Sequence, residues 1–344
     1  MRDGTVHRYL FSAVAAAVLT LNHAAFAAVA DFYRGKTLSL VISTTTGTSY
    51  DLMGRTLARH LPKYIPGNPG IIVQNMPGAG GLTAANYLYR VAPKDGTVFA
   101  GLQGTLPFDP LLGIKEAKFD ATKFNWLGSA SAEVCLQIVR AEAHVDGIDD
   151  LKSRDVVVGP SGNASQPAYF ARLLNQVLDT RFKIVLGYPG QNDVFLAMER
   201  GEVDGHTCVY YSALVATRPA WLKDHKVKVL LQSGPEKEPE VGDVPFALDL
   251  VRNPEDKLLM NAAFAPLALG RPYAMPPDVP ADRVDAMRKA MAAVMKDGTF
   301  AHEIKALNLQ IHGPRTGAQV QSLVASTNAL SPRVMSRLQK LVQP

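Results

Sequence analysis

Three segments combine glycine with hydroxyl side chains just ahead of a helical pattern: Ser43-Thr44-Thr45-Thr46-Gly47-Thr48-Ser49-Tyr50-Asp51, Asn75-Met76-Pro77-Gly78-Ala79-Gly80-Gly81 and Gly159-Pro160-Ser161-Gly162-Asn163-Ala164-Ser165. Glycine lets a backbone approach a ligand closely, and the first turn of the following helix leaves N–H groups unpaired, so each loop can hold an anion. The hydroxyls of Thr46, Thr48, Ser49, Ser161 and Ser165 add donors without adding charge. Turn and cap duty would explain one such loop by itself. Three at equivalent positions, each after a strand pattern, shift the balance toward anion binding.

Other chemistries fail on spacing. Gly78-x-Gly80-Gly81 is not GxGxxG, no acid follows the next strand at the ribose position, and no Gly-Lys-Ser/Thr is present. There is no GxSxG, no HExxH and no Ser-x-x-Lys set, and the histidines at 60, 144, 206, 225, 302 and 312 are scattered without ligand spacing. No catalytic residue, metal or cofactor is expected. Cys135 and Cys208 form no CxxC, which leaves one disulfide or two buried thiols. With 36 Lys+Arg against 31 Asp+Glu and no run of five like charges, nothing marks a nucleic-acid partner.

The elements that would position these loops alternate. Thr37–Ser43, Ile71–Asn75 and Thr97–Leu102 read as strands, with helices over Asp51–Tyr64 and Leu82–Val91 between them, a βαβαβ unit. A second unit has strands at Asp155–Gly159, Arg181–Leu186, Val203–Val209 and Lys226–Leu231, with helices at about Gln166–Leu178 and Asn192–Arg200. Trp126–Ser129 and Val134–Arg140 read as strands that carry the chain between the units, and Gly234–Pro245 as a connection back. The last third reads as a strand region at Asn261–Leu269, a proline-rich turn at Arg271–Pro280, and helices at Ala281–Lys296 and Thr316–Leu341. At 344 residues, 47% hydrophobic and 19% charged, the chain supports two α/β lobes, each a mainly parallel sheet flanked by helices, with a cleft between them.

Residues 1–30 are set apart. Arg2 and Arg8, the apolar run Leu10–Leu21 and the small residues Ala24–Ala30 have the layout of a secretory signal peptide, with the run short of the ~20 residues a spanning helix needs. Cleavage after Ala27 or after Ala30 fits the small-x-small pattern. The expected organisation is a signal peptide at 1–30, a first lobe from 31–133 plus 234–344, and a second lobe at 134–233. No later stretch is apolar enough to span a membrane.

The ordered set of motifs resembles the extracytoplasmic solute receptors of the tripartite tricarboxylate transporters, also called Bug receptors, over nearly the whole mature chain. The pieces are Phe32-Tyr33-Arg34-Gly35-Lys36, Gly47 through Asp51-Leu52-Met53-Gly54-Arg55, Asn75 through Gly81, Ala92-Pro93-Lys94-Asp95-Gly96-Thr97, Gly104-Thr105, Gly159 through Ser165, Tyr188-Pro189-Gly190 and Gly201-Glu202-Val203-Asp204-Gly205. The resemblance implies a two-lobed Venus-flytrap receptor, an exported periplasmic monomer rather than an enzyme. It would close on a small carboxylate, a dicarboxylate or an aromatic acid, and deliver it to membrane permease subunits. A ligand sensor is the nearest alternative, and an exported hydrolase or isomerase a more distant one. Carried over by position, the first-lobe contacts are Thr46, Gly47, Thr48, Ser49, Asp51, Gly80, Gly81 and Thr105, and the second-lobe contacts Ser161, Asn163, Ser165, Tyr188 and Asp204. Asp51 has a capping alternative and Asp204 a turn-stabilising one.

This chain departs from the family pattern at Thr46-Gly47-Thr48-Ser49-Tyr50-Asp51, where the family usually has Pro-Gly-Gly, a small residue, Thr and Asp. Tyr50 could stack on a ligand, narrow the pocket or pack on the first helix. Ala197 stands where the family often has an acid, with Asp193 one turn earlier, so the resemblance carries no amine-binding role.

Overall fold

Thr37–Ile42 forms strand β1, with Leu38, Leu40 and Ile42 buried on one face and Val41 on the other. A strand buried on both faces belongs inside a sheet covered by helices above and below. The structure, a computed structural model that describes residues 27–160, 165–188 and 190–342, has two such sheets. Residues 1–26 of the expected signal peptide, together with Ser161 and Asn163, lie outside the described residues.

In chain order the first sheet is built from β1, α1 (Ser49–His60), β2 (Gly70–Asn75), α2 (Leu82–Arg90), β3 (Val98–Gly101) and β4 (Asn125–Ser129). The second holds β5 (Cys135–Arg140), α3 (Ile148–Ser153), β6 (Val156–Val158), α4 (Gln166–Leu178), β7 (Phe182–Ile184), α5 (Gln191–Glu199), β8 (Gly205–Tyr210), α6 (Tyr211–Thr217), α7 (Pro219–Lys223) and β9 (Val227–Ser233). The chain returns through α8 (Pro254–Leu269), β10 (Pro272–Met275), α9 (Ala281–Val294), α10 (Gly298–Ala306), β11 (Arg315–Thr316), α11 (Gly317–Asn328) and α12 (Pro332–Val342).

Strand order is β11-β4-β10-β3-β1-β2 in one sheet and β7-β6-β8-β5-β9 in the other. Both sheets are mixed. The βαβ units supply the parallel pairs β1 with β2 and β3, and β6 with β7 and β8. The strands that lead the chain between sheets, β4, β5, β9 and β10, pair antiparallel.

In the first sheet, Leu40, Ile42, Phe99 and Tyr273 pack under α1 and α9, while Val41, Ala100 and Trp126 pack under α2 and α11. Gly54 lets α1 lie close to the sheet: a Cβ there would sit 2.5 Å from Ile42 Cδ1, and that buried side chain would have to shift. In the second sheet, Cys135, Val156 and Val158 share a core with α4, while Leu136, Ile138 and Val209 share one with α5 and Trp221.

The last third departs from its sequence reading in three places. Asn261–Leu269 reads as a strand but is the second half of α8, a helix buried among both sheets' cores and therefore apolar all round, which periodicity cannot tell from a buried strand. Pro272–Met275, inside the expected turn, is strand β10. The expected helix Thr316–Leu341 is two helices, because Pro332 supplies no N–H for a continuing turn and instead opens α12. The return segment also serves both sheets. Helices α9, α10 and α11 cover the first, whereas Leu259, Phe264, Val334 and Leu338 of α8 and α12 pack with Phe170 and Leu174 of α4.

Residues 27–33 are helical, and Val29 and Tyr33 are buried in the core that holds Leu57 and Leu61. Cys135 and Cys208 form a disulfide between β5 and β8, with Cα atoms 4.6 Å apart. Beside it His206 is 2% exposed, and its Nδ1 accepts the Cys208 N–H at 3.2 Å.

Burial pushes the His206 imidazole down to about 4, so it is neutral in the folded protein at pH 7. Below its unfolded pKa of ~6.5 the unfolded chain binds a proton that the folded chain refuses, so stability falls as pH drops from about 6.5 toward 4. Urea unfolding at pH 5 is expected to give roughly 2 kcal/mol less stability than at pH 7 from this group. His206→Gln should flatten that segment of the profile, and an equally steep profile in the variant would exclude His206 as the cause.

Candidate functional site

The loop between β1 and α1 is held from inside by Asp51, which is 1% exposed. Its carboxylate accepts the Gly47 N–H at 2.8 Å, the Asn75 Nδ2–H at 2.8 Å and the Arg55 Nε–H at 3.1 Å. Burial pushes this carboxyl up, but the hydrogen bonds from Arg55, Gly47 and Asn75 outweigh it and hold it below the ordinary carboxylate range. Asn75, at the end of β2, also donates to Thr44 O at 3.0 Å and accepts from Arg55 Nη2 at 2.8 Å and Thr46 Oγ1 at 3.3 Å. Thr48 caps α1 by accepting the Asp51 N–H at 3.3 Å, and its hydroxyl lies 2.7 Å from that of Thr44.

The second loop turns through Gly78, Gly80 and Gly81, all at positive φ. At Gly81 the constraint is steric as well, since a Cβ would sit 2.9 Å from Gln103 Nε2. Gln103 closes the loop from the next strand's end by donating to Gly80 O at 3.0 Å.

A cavity of about 420 Å³ opens between the two sheets. On the first-sheet side it is lined by Ser49 and Tyr50, the first residues of α1, and by Gln103, Gly104 and Thr105 after β3. On the second-sheet side it is lined by Gln166, the first residue of α4, by Tyr210 at the end of β8, and by Ser212, Ala213 and Thr217 of α6. Its remaining wall comes from Glu133, Pro266, Gly270, Arg271, Asn308 and Leu309. Two helices from opposite sheets thus begin at one cavity, where their first-turn N–H groups favour an anion.

Where the crossing segments meet, a buried ion pair stands in the cavity wall. Arg271, 7% exposed, donates from Nη1 to Glu133 Oε1 at 2.8 Å and to Ser131 Oγ at 2.7 Å, and Ser212 Oγ donates to the other Glu133 oxygen at 2.8 Å. The guanidinium lies 5.6 Å from the centre of the Tyr50 ring. Tyr50 donates to Gly270 O at 2.9 Å and accepts from Gly104 N at 3.4 Å, so its hydroxyl is taken up by backbone. Tyr210 donates to Gln166 Oε1 at 2.5 Å. Burial pushes both phenols up, and both are neutral.

Of the thirteen residues carried over from the resemblance, Ser49 and Thr105 line this cavity. Thr46, Gly47, Thr48, Gly80 and Gly81 build the loops beside it, and Asp51 faces inward as their fastener. Ser165 immediately precedes Gln166, at the N-cap position of α4. Tyr188 lies outside the cavity lining, its ring so close to Gly159 that a Cβ there would meet Cε2 at 2.7 Å. Asp204 is not at the cavity. It precedes β8, six residues or about 20 Å from Tyr210 along an extended chain, and accepts the Val157 N–H at 2.9 Å because the β6–β8 pairing starts there.

The residues missed are Glu133, Gln166, Tyr210, Ser212 and Arg271. Gln166 was readable as the first helical residue after a glycine-rich loop. Glu133 and Arg271 are 138 positions apart, and no local pattern announces their meeting. A second cavity of about 430 Å³, lined by Arg140, Arg200, Trp221 and Lys226, lies at the opposite end of the second sheet, where β5 ends and β9 begins. Among the described residues no group of three or more His, Cys, Asp or Glu side chains could hold a metal ion.

Two mixed sheets, joined by several crossings and enclosing a cleft, define the periplasmic solute-binding fold, and comparison with solved structures agrees. The chain is similar to a TctC solute-binding protein from Polaromonas, with a TM-score of 0.71 at 19% identity over 90% of this chain and 99% of that one. It is similar to the periplasmic binding protein BugD (TM-score 0.60, 17% identity, 90% of this chain and 98% of that one). It is also similar to MatC from Rhodopseudomonas palustris, solved with bound malate (TM-score 0.59, 22% identity, 90% and 99%). No protein-family model and no curated protein matches the sequence.

Asn75→Ala removes at once the ties to Thr44, Thr46, Asp51 and Arg55. Leaving that buried carboxylate short of a donor is expected to cost about 1–3 kcal/mol of stability, read as a lower urea midpoint at unchanged slope. An unchanged midpoint would show that the two loops are held by something else.

Proposed function

We propose that this chain is a receptor of the tripartite tricarboxylate transporter type. It is exported to the periplasm, captures a small carboxylate between its lobes and hands it to permease subunits, with binding and release as its whole task. The observation that carries this reading is the interlobe cavity at which α1 and α4, from opposite sheets, both begin. An anion there gains from both helix ends only when both lobes contact it, so the ligand selects the closed arrangement. The fold shared with BugD and with malate-bound MatC supports the same assignment.

In this reading Ser49 and Thr105 contact the ligand directly from the first lobe. The loops holding Thr46, Gly47, Thr48, Gly80 and Gly81 border the cleft, and Asp51 keeps them in shape. By motif position Ser161, Asn163 and Ser165 act on the ligand from the second lobe, where Gln166 stands in the cavity wall, and Tyr188 and Asp204 support that lobe. The lobes divide near 133/134 and 233/234, apart from α12, which packs on the second, and α8, which packs in the cores of both.

The ligand test is thermal unfolding of protein that has been denatured and refolded to strip carried-over ligand. Malate, adipate, phenylacetate and amino acids are the probes. A saturable rise in Tm is expected with at least one carboxylate, since ligand at 100 times Kd adds about 2.7 kcal/mol. No rise with any carboxylate would overturn the proposal.

The export step makes a separate prediction. Cleavage after Ala30 would remove Val29, 3% exposed in the first-lobe core, at a cost of about 1.5–3 kcal/mol of burial, whereas cleavage after Ala27 keeps it. N-terminal sequencing of the exported protein is expected to begin at Ala28. A start at Asp31 would contradict it.

A further inference from the structure

Taking the carboxylate reading as given, we infer that the cleft is built for a monocarboxylate with a flat apolar body, an arylalkanoic acid, in preference to a di- or tricarboxylate. The first reason is charge. Among the described lining residues the ionisable acid and base are Glu133 and Arg271, and they neutralise each other at 2.8 Å. One ligand carboxylate is served by the first turns of α1 and α4. A second would meet no uncompensated cation, so the cost of taking its charge out of bulk water would go unrepaid.

The second reason is the surface left for the rest of the ligand. Tyr50 enters from the first sheet and Tyr210 from the second, so an apolar ring stands on each side of the cleft. Their hydroxyls are committed to Gly270 O and Gln166 Oε1, which leaves the rings to act as apolar surfaces rather than as donors to a polar ligand. Arg271 against Tyr50 and the backbone bonds at Gly104 and Gly270 fix one ring in place, so stacking costs it little ordering. Pro266, Ala213 and Leu309 continue the apolar wall, and about 420 Å³ is room for more than a four-carbon acid.

The test is calorimetric titration of refolded protein with phenylacetate and 3-phenylpropionate against malate and adipate, repeated on Tyr210→Ala and Tyr210→Phe. The aryl acids should bind at least about tenfold more tightly than either dicarboxylate, Tyr210→Ala should weaken them by about tenfold or more, and Tyr210→Phe should keep most of the affinity. Tighter binding of malate or adipate, or undiminished aryl binding by Tyr210→Ala, would overturn the inference. The ligand comparison on the unmodified chain decides it even if the alanine variant fails to fold. Binding of a dicarboxylate or an amino acid without aryl binding would sink this inference and leave the receptor reading intact, whereas binding of none of the four acids together with no Tm rise for any carboxylate in the thermal screen would sink both.

Discussion

The cleft depends on how tightly the crossing segments are held where the two sheets meet. Gly270 ends α8 at φ +48°, and a Cβ there would lie 2.0 Å from Ser131 O, so the α8–β10 and β4–β5 crossings touch backbone to backbone. The last carbonyls of α8 find their partners in these segments: Leu267 O accepts the Glu133 N–H, and Leu269 O accepts from Ser129 Oγ. Into this junction the chain buries Arg271 and Glu133, and a buried pair is far more costly to break than to keep. Through Ser212 the same carboxylate reaches the second sheet, and through Gly270 O the same turn holds Tyr50 of the first. Both walls of the cavity are thereby referred to one fixed point.

Around that point the loops proposed to bind the anion carry no net charge of their own. Asp51, Asn75 and Arg55 satisfy one another inside the loop system, leaving backbone N–H groups and hydroxyls at its surface. A helix terminus contributes only about 0.3–1 kcal/mol to an exposed anion, so one lobe alone holds a carboxylate weakly. In the proposed role, affinity would rest on both lobes acting together. The disulfide ties β5 to β8 within the second sheet.

Much of this was legible in the sequence because it is local. The β1–α1–β2–α2–β3 unit, α4, and the glycine-rich loops ahead of α1 and α2 follow from β-branched runs, amphipathic spacing and turn residues, and the structure places them within a few residues. The failures share one cause. Asn261–Leu269 is helical because both sheets bury it, and the Glu133–Arg271 pair forms because two crossings converge. Neither fact resides in a window of neighbouring residues. Asp204 occupies one of the family motif positions, and the strand direction of β8 sets it at the far end from Tyr210, a relation that no local pattern carries.

The most direct measurement is a crystal structure of the refolded protein grown with the carboxylate that most raises its Tm. Ligand density is expected in the interlobe cavity, with carboxylate oxygens in hydrogen-bond reach of the first-turn N–H groups of α1 at Ser49–Tyr50 and the opening of α4 at Gln166. Density instead in the cavity of Arg140, Arg200 and Lys226 at the opposite end of the second sheet, with the interlobe cavity holding only water, would contradict it.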